Sequence, residues 1–210
     1  AYMLVGDGEP APEIYLAAND IKQAKLVFRP ACKMVKNSKE LDQICKIQDY
    51  KNKIACPKND GFIQVLSSDP DNTEGIDSHM VVYDELHVQS KRDLYDTLQY
   101  STDSRREPLF WMITTAGNER ESICREQHEY SRKILEGKIQ DPSFYPVIFK
   151  ADEDADWHDK SIWYIANPAL EDPSEPETMQ DEDGNEVPNP ERGFLPLDGF
   201  ESNYREAKNK

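Results

Sequence analysis

Asp84 and Glu85 are adjacent carboxylates at the end of an apolar run, His79-Met80-Val81-Val82-Tyr83-Asp84-Glu85-Leu86-His87. Such a pair can divide the labour of nucleotide hydrolysis. The first carboxylate, Asp84, would hold Mg²⁺, usually through its water shell, and the second, Glu85, would polarise the attacking water. This is the Walker B pattern. The bland alternative is a core strand that ends in two acids and caps the next helix, and context must decide between them. A second apolar run, Leu109-Phe110-Trp111-Met112-Ile113, ends in Thr114-Thr115-Ala116-Gly117. Small hydroxylated residues and a glycine at a strand end can touch a phosphate or sense its loss; the alternative is an ordinary strand-to-helix turn.

Both runs read as strands buried on two faces, as in a parallel sheet. Their carboxyl ends are where open α/β sheets place a ligand crevice. The other elements fit the same architecture. Residues 1–5 look like the end of a helix, and Gly6-Asp7-Gly8-Glu9-Pro10 is a turn cluster. Residues 13–17 form a short strand. Asn19 can cap a helix carrying Ile21, Ala24, Phe28 and Ala31 on one face, which Pro30 should kink or interrupt. Residues 46–55 suggest a hairpin with Tyr50-Lys51-Asn52 at its tip, and residues 62–66 a strand. A polar loop at 67–72 and a tight turn at Gly75 lead to the acidic strand. Ser90-Lys91-Arg92-Asp93 opens a helix with Leu94, Tyr95 and Leu98 inward. Asn118-Glu119-Arg120-Glu121 opens another, with Ile123, Tyr130 and Ile134 inward and Gly137 as its stop. Residues 145–149 read as a last strand. After Lys150 the chain is acidic loop, a short helix at 161–166, a Pro/Asp/Glu-rich insertion or hairpin at 171–196, and a helix at 197–208 with Phe200 and Tyr204 four residues apart. Alternating strands and helices imply an α/β fold with a mainly parallel sheet covered on both faces.

VVYDELH followed by a helix and then LFWMITTAG resembles the ATPase domain of bacteriophage terminase large subunits, the DNA-packaging motors, and most of all the type found in tailed phages with HK97-like capsids. Ile14-Tyr15-Leu16-Ala17-Ala18, a helix containing Gln23-Ala24, and Trp163-Tyr164-Ile165-Ala166-Asn167-Pro168-Ala169-Leu170 fit the same family. The resemblance runs from about residue 4 to residue 209. It implies a RecA-like P-loop NTPase core, with ATP and Mg²⁺ as cofactors, Asp84 as the metal carboxylate, Glu85 as the catalytic base, and Thr114, Thr115 and Gly117 as a motif coupling phosphate release to domain movement. It implies double-stranded DNA, a small terminase subunit and a portal protein as partners, a homo-oligomeric ring, and a host-cytoplasmic location. A nuclease domain would follow residue 210.

The sequence departs from the family in carrying no GxxxxGK[ST]. The family places that loop one helix upstream of a strand like residues 13–17, so the chain is expected to be truncated just after it. Residues 1–150 would be an ATPase domain lacking its P-loop, and residues 151–210 an acidic, loop-rich appendage with short helices. Without the backbone cradle and the lysine, the isolated chain is expected to bind ATP poorly and hydrolyse it negligibly. No arginine lies between Lys58 and Lys91; Arg105, Arg106 and Arg120 are candidates for a trans-acting finger, or solvated surface residues. His79 reads as structural, and His87 could sit near phosphates.

The formal net charge of −16 argues against a surface that binds DNA all over, but the charge is uneven. Residues 22–58 hold ten Lys/Arg against three Asp/Glu, whereas residues 151–191 hold one Lys against fourteen Asp/Glu. The basic segment could face DNA or simply be a solvated helix face. Cys32, Cys45, Cys56 and Cys124 lack metal-ligand spacing and read as free thiols. No apolar run reaches the length of a membrane span. A DEAD/DExH helicase fragment would also carry Asp84-Glu85-Leu86-His87, and a non-catalytic interaction remnant is a third reading.

Overall fold

Alternation along β1 (Glu13–Ala17) splits the interior of the first part of the chain into two apolar layers. Ile14 and Leu16 face one side, and Tyr15 and Ala17 the other. The computed structural model describes residues 1–66, 75–89, 92–117, 121–181 and 185–208. Among these, six strands form one sheet in the order β2 (Lys46–Gln48), β3 (Lys53–Cys56), β4 (Gly61–Val65), β1, β5 (Ser78–Asp84) and β6 (Leu109–Ile113). The pairs β4–β1, β1–β5 and β5–β6 are parallel; β2–β3 and β3–β4 are antiparallel. The result is an α/β fold with a mostly parallel sheet, consistent with a RecA-like core. The expected hairpin is β2–β3, turned by residues 49–51 and by Asn52 in the left-handed region.

One layer lies under α1 (Tyr2–Val5), α2 (Ile21–Asn37) and α3 (Lys39–Ile44), where Leu4, Ala24, Phe28 and Val35 meet Ile14, Leu16, Ile63 and Val82. The other lies under α4 (Arg92–Tyr100) and the start of α5 (Ile123–Leu135), where Leu94, Tyr95, Leu98 and Ile123 meet Tyr15, Val81 and Tyr83. Arg92 links the two helices through a forked pair of 2.7 Å bonds to Glu126.

Several local expectations need correction. Asp20, not Asn19, caps α2, its carboxylate accepting from the amides of Lys22 and Gln23. Ile21 is exposed, and Val35 extends the buried stripe instead. Pro30 does not interrupt the helix, which runs through it on an exposed position. A helix-interior proline costs about 3 kcal/mol relative to alanine, offset in part by the stiffer unfolded chain. Pro30→Ala is therefore expected to stabilise the protein by about 1–2 kcal/mol in a denaturant titration. β6 is not buried on both faces: it is the sheet's edge, with Phe110 and Met112 packed inward while Trp111 and Ile113 are exposed. α5 begins after its cap, Ser122, rather than at Glu121. The polar loop at 67–72, Ser90-Lys91 and Asn118-Glu119-Arg120 lie outside the described residues.

Arg105 is not a solvated surface residue. Its guanidinium is 8% exposed and binds Glu9 at 3.1 Å, Asp77 at 3.0 Å, and the carbonyls of Pro10, Ala11 and Asp77. These groups lie at the amino ends of β1 and β5. At the same end His79, 1% exposed, pairs with Asp7. Burial raises the Asp7 carboxyl, but hydrogen bonds from His79 and the Glu9 amide, with the charge of His79, hold it below the usual range.

The chain divides into two compact units between Asp141 and Pro142, ahead of the composition change at residue 150. In the second unit the expected strand at 145–149 is absent; Tyr145, Val147 and Phe149 are exposed, and Pro146 offers no amide to a ladder. α6 (Lys160–Ala166) buries Trp163 against Phe200 and Tyr204 of α7 (Leu197–Lys208). The acidic stretch contains a hairpin of β7 (Thr178–Gln180) and β8 (Glu186–Pro188). No helix among the described residues is long and apolar enough to cross a membrane.

Candidate functional site

Asp84 is the last residue of β5 and pairs across the sheet with Ile113, the last residue of β6. The next residues on each strand, Glu85 and Thr114, therefore leave the sheet side by side at its carboxyl edge. Parallel pairing forces this, because equal register at the strand ends brings both following loops to one place. Asp84 is half-buried.

At Glu85 the chain turns into the left-handed region, φ 55° and ψ 48°, and residues 86–88 make one tight helical turn. Leu86, 1% exposed, plugs into the layer beneath α4 and holds that turn in place. Glu85 makes no side-chain capping bond, which removes the capping role as an explanation for it. Its Oε2 is closed off from solvent without an aligned hydrogen-bond donor. A left-handed backbone costs a non-glycine residue about 1–2 kcal/mol, and glycine returns part of that to unfolded-chain entropy. Glu85→Gly is thus expected to leave stability unchanged or raise it by about 0.5 kcal/mol in thermal unfolding, where loss of a true cap would lower it by about 1 kcal/mol.

His87 closes the site. Its amide donates to Thr114 Oγ1 at 3.0 Å, and its Nδ1 lies 3.2 Å from Thr114 Oγ1, 3.4 Å from Thr115 Oγ1 and 3.0 Å from Glu85 Oε2. The Thr114 hydroxyl donates to the Thr115 carbonyl at 2.9 Å. A Cβ on Gly117 would stand 3.1 Å from the His87 Cβ, so glycine lets the two loops approach. Sequence reasoning places His87 only near phosphates. Its bridging position depends on the tight turn after Glu85, which residue spacing does not announce.

The structure thus brings together Asp84, Glu85, Thr114, Thr115 and Gly117. Arg105 lies at the other end of the strands, so it cannot serve this edge in its own subunit; Arg106 is exposed and Arg120 lies outside the described residues. Shallow hollows lie along α5 beside Glu126 and Lys133 and near Asp7 and Lys58. No group of three or more His, Cys, Asp or Glu side chains with metal-binding arrangement occurs among the described residues. Asp84, a half-buried carboxylate, suits Mg²⁺, which commonly takes one or two protein carboxylates and completes its shell with water and substrate phosphates.

The family described as "Terminase large subunit, ATPase domain" matches residues 2–133. Protein YmfN of Escherichia coli (strain K12) is 34% identical over 97 residues, 46% of this chain and 21% of that protein. The large subunit of the terminase of Enterobacteria phage HK97 is 28% identical over 162 residues, 75% of this chain and 31% of that protein. The crystal structure of the HK97 bacteriophage large terminase superposes with a TM-score of 0.69 at 24% identity, over 80% of this chain and 35% of that one. The chain therefore spans about a fifth to a third of the length of these relatives.

Proposed function

The chain belongs to the terminase large-subunit ATPase-domain family, and from that premise we propose that it supplies the hydrolytic edge of a viral DNA-packaging ATPase. The observation that carries this reading is the adjacency of the two loops: Asp84 and Glu85 stand beside the Thr114-Thr115 turn at the carboxyl edge of one parallel sheet.

In this reading Glu85, whose side chain is one-third exposed, orients and polarises the attacking water. Asp84 would hold Mg²⁺, which when bound neutralises charge developing on the phosphates. Thr114 is already committed, accepting from His87 and donating to Thr115. Thr115 is the freer hydroxyl, and it, with the amides that follow up to Gly117, is the group that meets phosphate or senses its departure. ATP is the nucleotide. Because the sequence carries no GxxxxGK[ST], these residues alone bind it weakly. The partners are double-stranded DNA, a small terminase subunit and a portal protein, in a homo-oligomeric ring in the host cytoplasm. Residues 1–150 form the ATPase part and residues 151–210 its acidic appendage.

The test is a hybrid in which these residues replace the matching segment of the HK97 large terminase. A folded hybrid is expected to show DNA-stimulated ATP hydrolysis. A folded hybrid that binds ATP without turning it over contradicts the reading.

A further inference from the structure

We propose that His87 is a positioning residue that ties Glu85 to the Thr114–Thr115 turn, so that displacement of either loop is transmitted to the other through one imidazole nitrogen. Its consequence for turnover rests on the ATPase reading above; the tie itself does not.

The proposal places a hydrogen on that nitrogen. Thr114 has one hydroxyl proton, and it goes to the Thr115 carbonyl at 2.9 Å. Its oxygen already accepts the His87 amide at 3.0 Å, leaving one lone pair toward Nδ1 at 3.2 Å. That contact needs a hydrogen from the ring. Glu85 Oε2, 3.0 Å from the same Nδ1, is a carboxylate oxygen and can only accept. Thr115 Oγ1, at 3.4 Å, can accept from the same nitrogen, so a hydrogen on Nδ1 suits all three neighbours. The Nδ1–H is shared: it lies at hydrogen-bonding distance from Glu85 Oε2 but is not aligned with it, as the unsatisfied state of that oxygen shows. A small rotation of the ring moves the hydrogen from Thr114 toward Glu85. Two restraints limit such movement to the ring. Leu86 is buried and pins the turn beneath it, and Gly117 packs against the His87 Cβ. Cys124 Sγ, 3.9 Å from Thr114 Oγ1, backs the same hydroxyl from α5. The ring is therefore held between a candidate base and a candidate phosphate sensor, with its proton available to only one of them at full strength.

The experiment uses the full 210-residue chain, labelled with ¹⁵N and ¹³C. Long-range ¹H–¹⁵N correlation is expected to show a hydrogen on His87 Nδ1; an Nδ1 that carries none overturns the proposal. Thr114→Val is expected to shift the Glu85 side-chain carboxylate resonance when His87 is present and to leave it unmoved in His87→Phe. His87→Asn, whose amide nitrogen replaces Nδ1, restores the response, and His87→Gln, whose amide replaces Nε2, does not. The Asn and Gln pair decides the matter should His87→Phe fail to fold. A Glu85 resonance indifferent to Thr114→Val, or equally responsive in the Asn and Gln backgrounds, overturns the tie. In the hybrid, His87→Gln is expected to lower kcat about tenfold with KM for ATP unchanged, and His87→Asn to recover most of it, as expected when a partner orients a reacting group. A loss confined to KM overturns the positioning role. Absence of ATPase in the unsubstituted hybrid counts against the ATPase reading, while the resonance shifts still decide whether the tie exists.

Discussion

Glu85→Gln in the hybrid terminase is expected to lower kcat for ATP hydrolysis by about 10²–10⁴ while changing ATP affinity little, the range a positioned general base contributes. The substitution keeps the shape of the side chain and the buried Leu86 plug, so the left-handed turn survives. On the proposed role, what disappears is an acceptor-only carboxylate that would face the attacking water. An amide there presents either a weaker acceptor or a donor. Nucleotide affinity should persist because the proposed role has Glu85 act only on the transition state. Steady-state kinetics with a parallel nucleotide titration separates the two quantities. A fall in affinity with kcat preserved would assign Glu85 to binding instead.

Arg105→Ala is expected to destabilise the protein by about 3 kcal/mol, the lower end of the cost of breaking a buried ion pair. For a chain of this size that corresponds to a fall in Tm of about 6–12 °C. Asp77 is about half exposed and adds little. The cost comes chiefly from Glu9 and the carbonyls of Pro10 and Ala11, which lose their donors at a nearly closed position. Arg105→Lys should recover only part of the loss, since one ammonium cannot reach two carboxylates and three carbonyls with a fork's geometry. Thermal unfolding of both variants checks this. Retained stability in Arg105→Ala would return Arg105 to the pool of candidate trans-acting arginines.

The strand at residues 13–17 and the β2–β3 hairpin are legible in the sequence because each is a local pattern: an apolar run, or two short runs around turn residues. Asp84 and Glu85 are legible because chemistry and strand end coincide in adjacent positions. Other features depend on what lies beside an element, which a single segment does not encode. The run at 109–113 looks the same whether central or at an edge; only the strand order exposes Trp111 and Ile113. Residues 145–149 have strand composition, but exposed Tyr145, Val147 and Phe149 pair with no ladder. Arg105 reads as surface charge beside Arg106 until the loop at Glu9, nearly a hundred positions away in the chain, folds onto it. His87 acquires its bridge only once Thr114 arrives from the neighbouring strand.

Hydrolysis at this edge requires that the two loops share one phosphate. The most direct measurement is a crystal structure of the hybrid with Mg²⁺ and a non-hydrolysable ATP analogue. Metal density is expected beside Asp84, with the terminal phosphate between the Glu85 carboxylate and the Thr114-Thr115 turn. Phosphate and metal bound away from that edge, at the amino ends of the strands near Arg105 or along the outer face of α5, would contradict it.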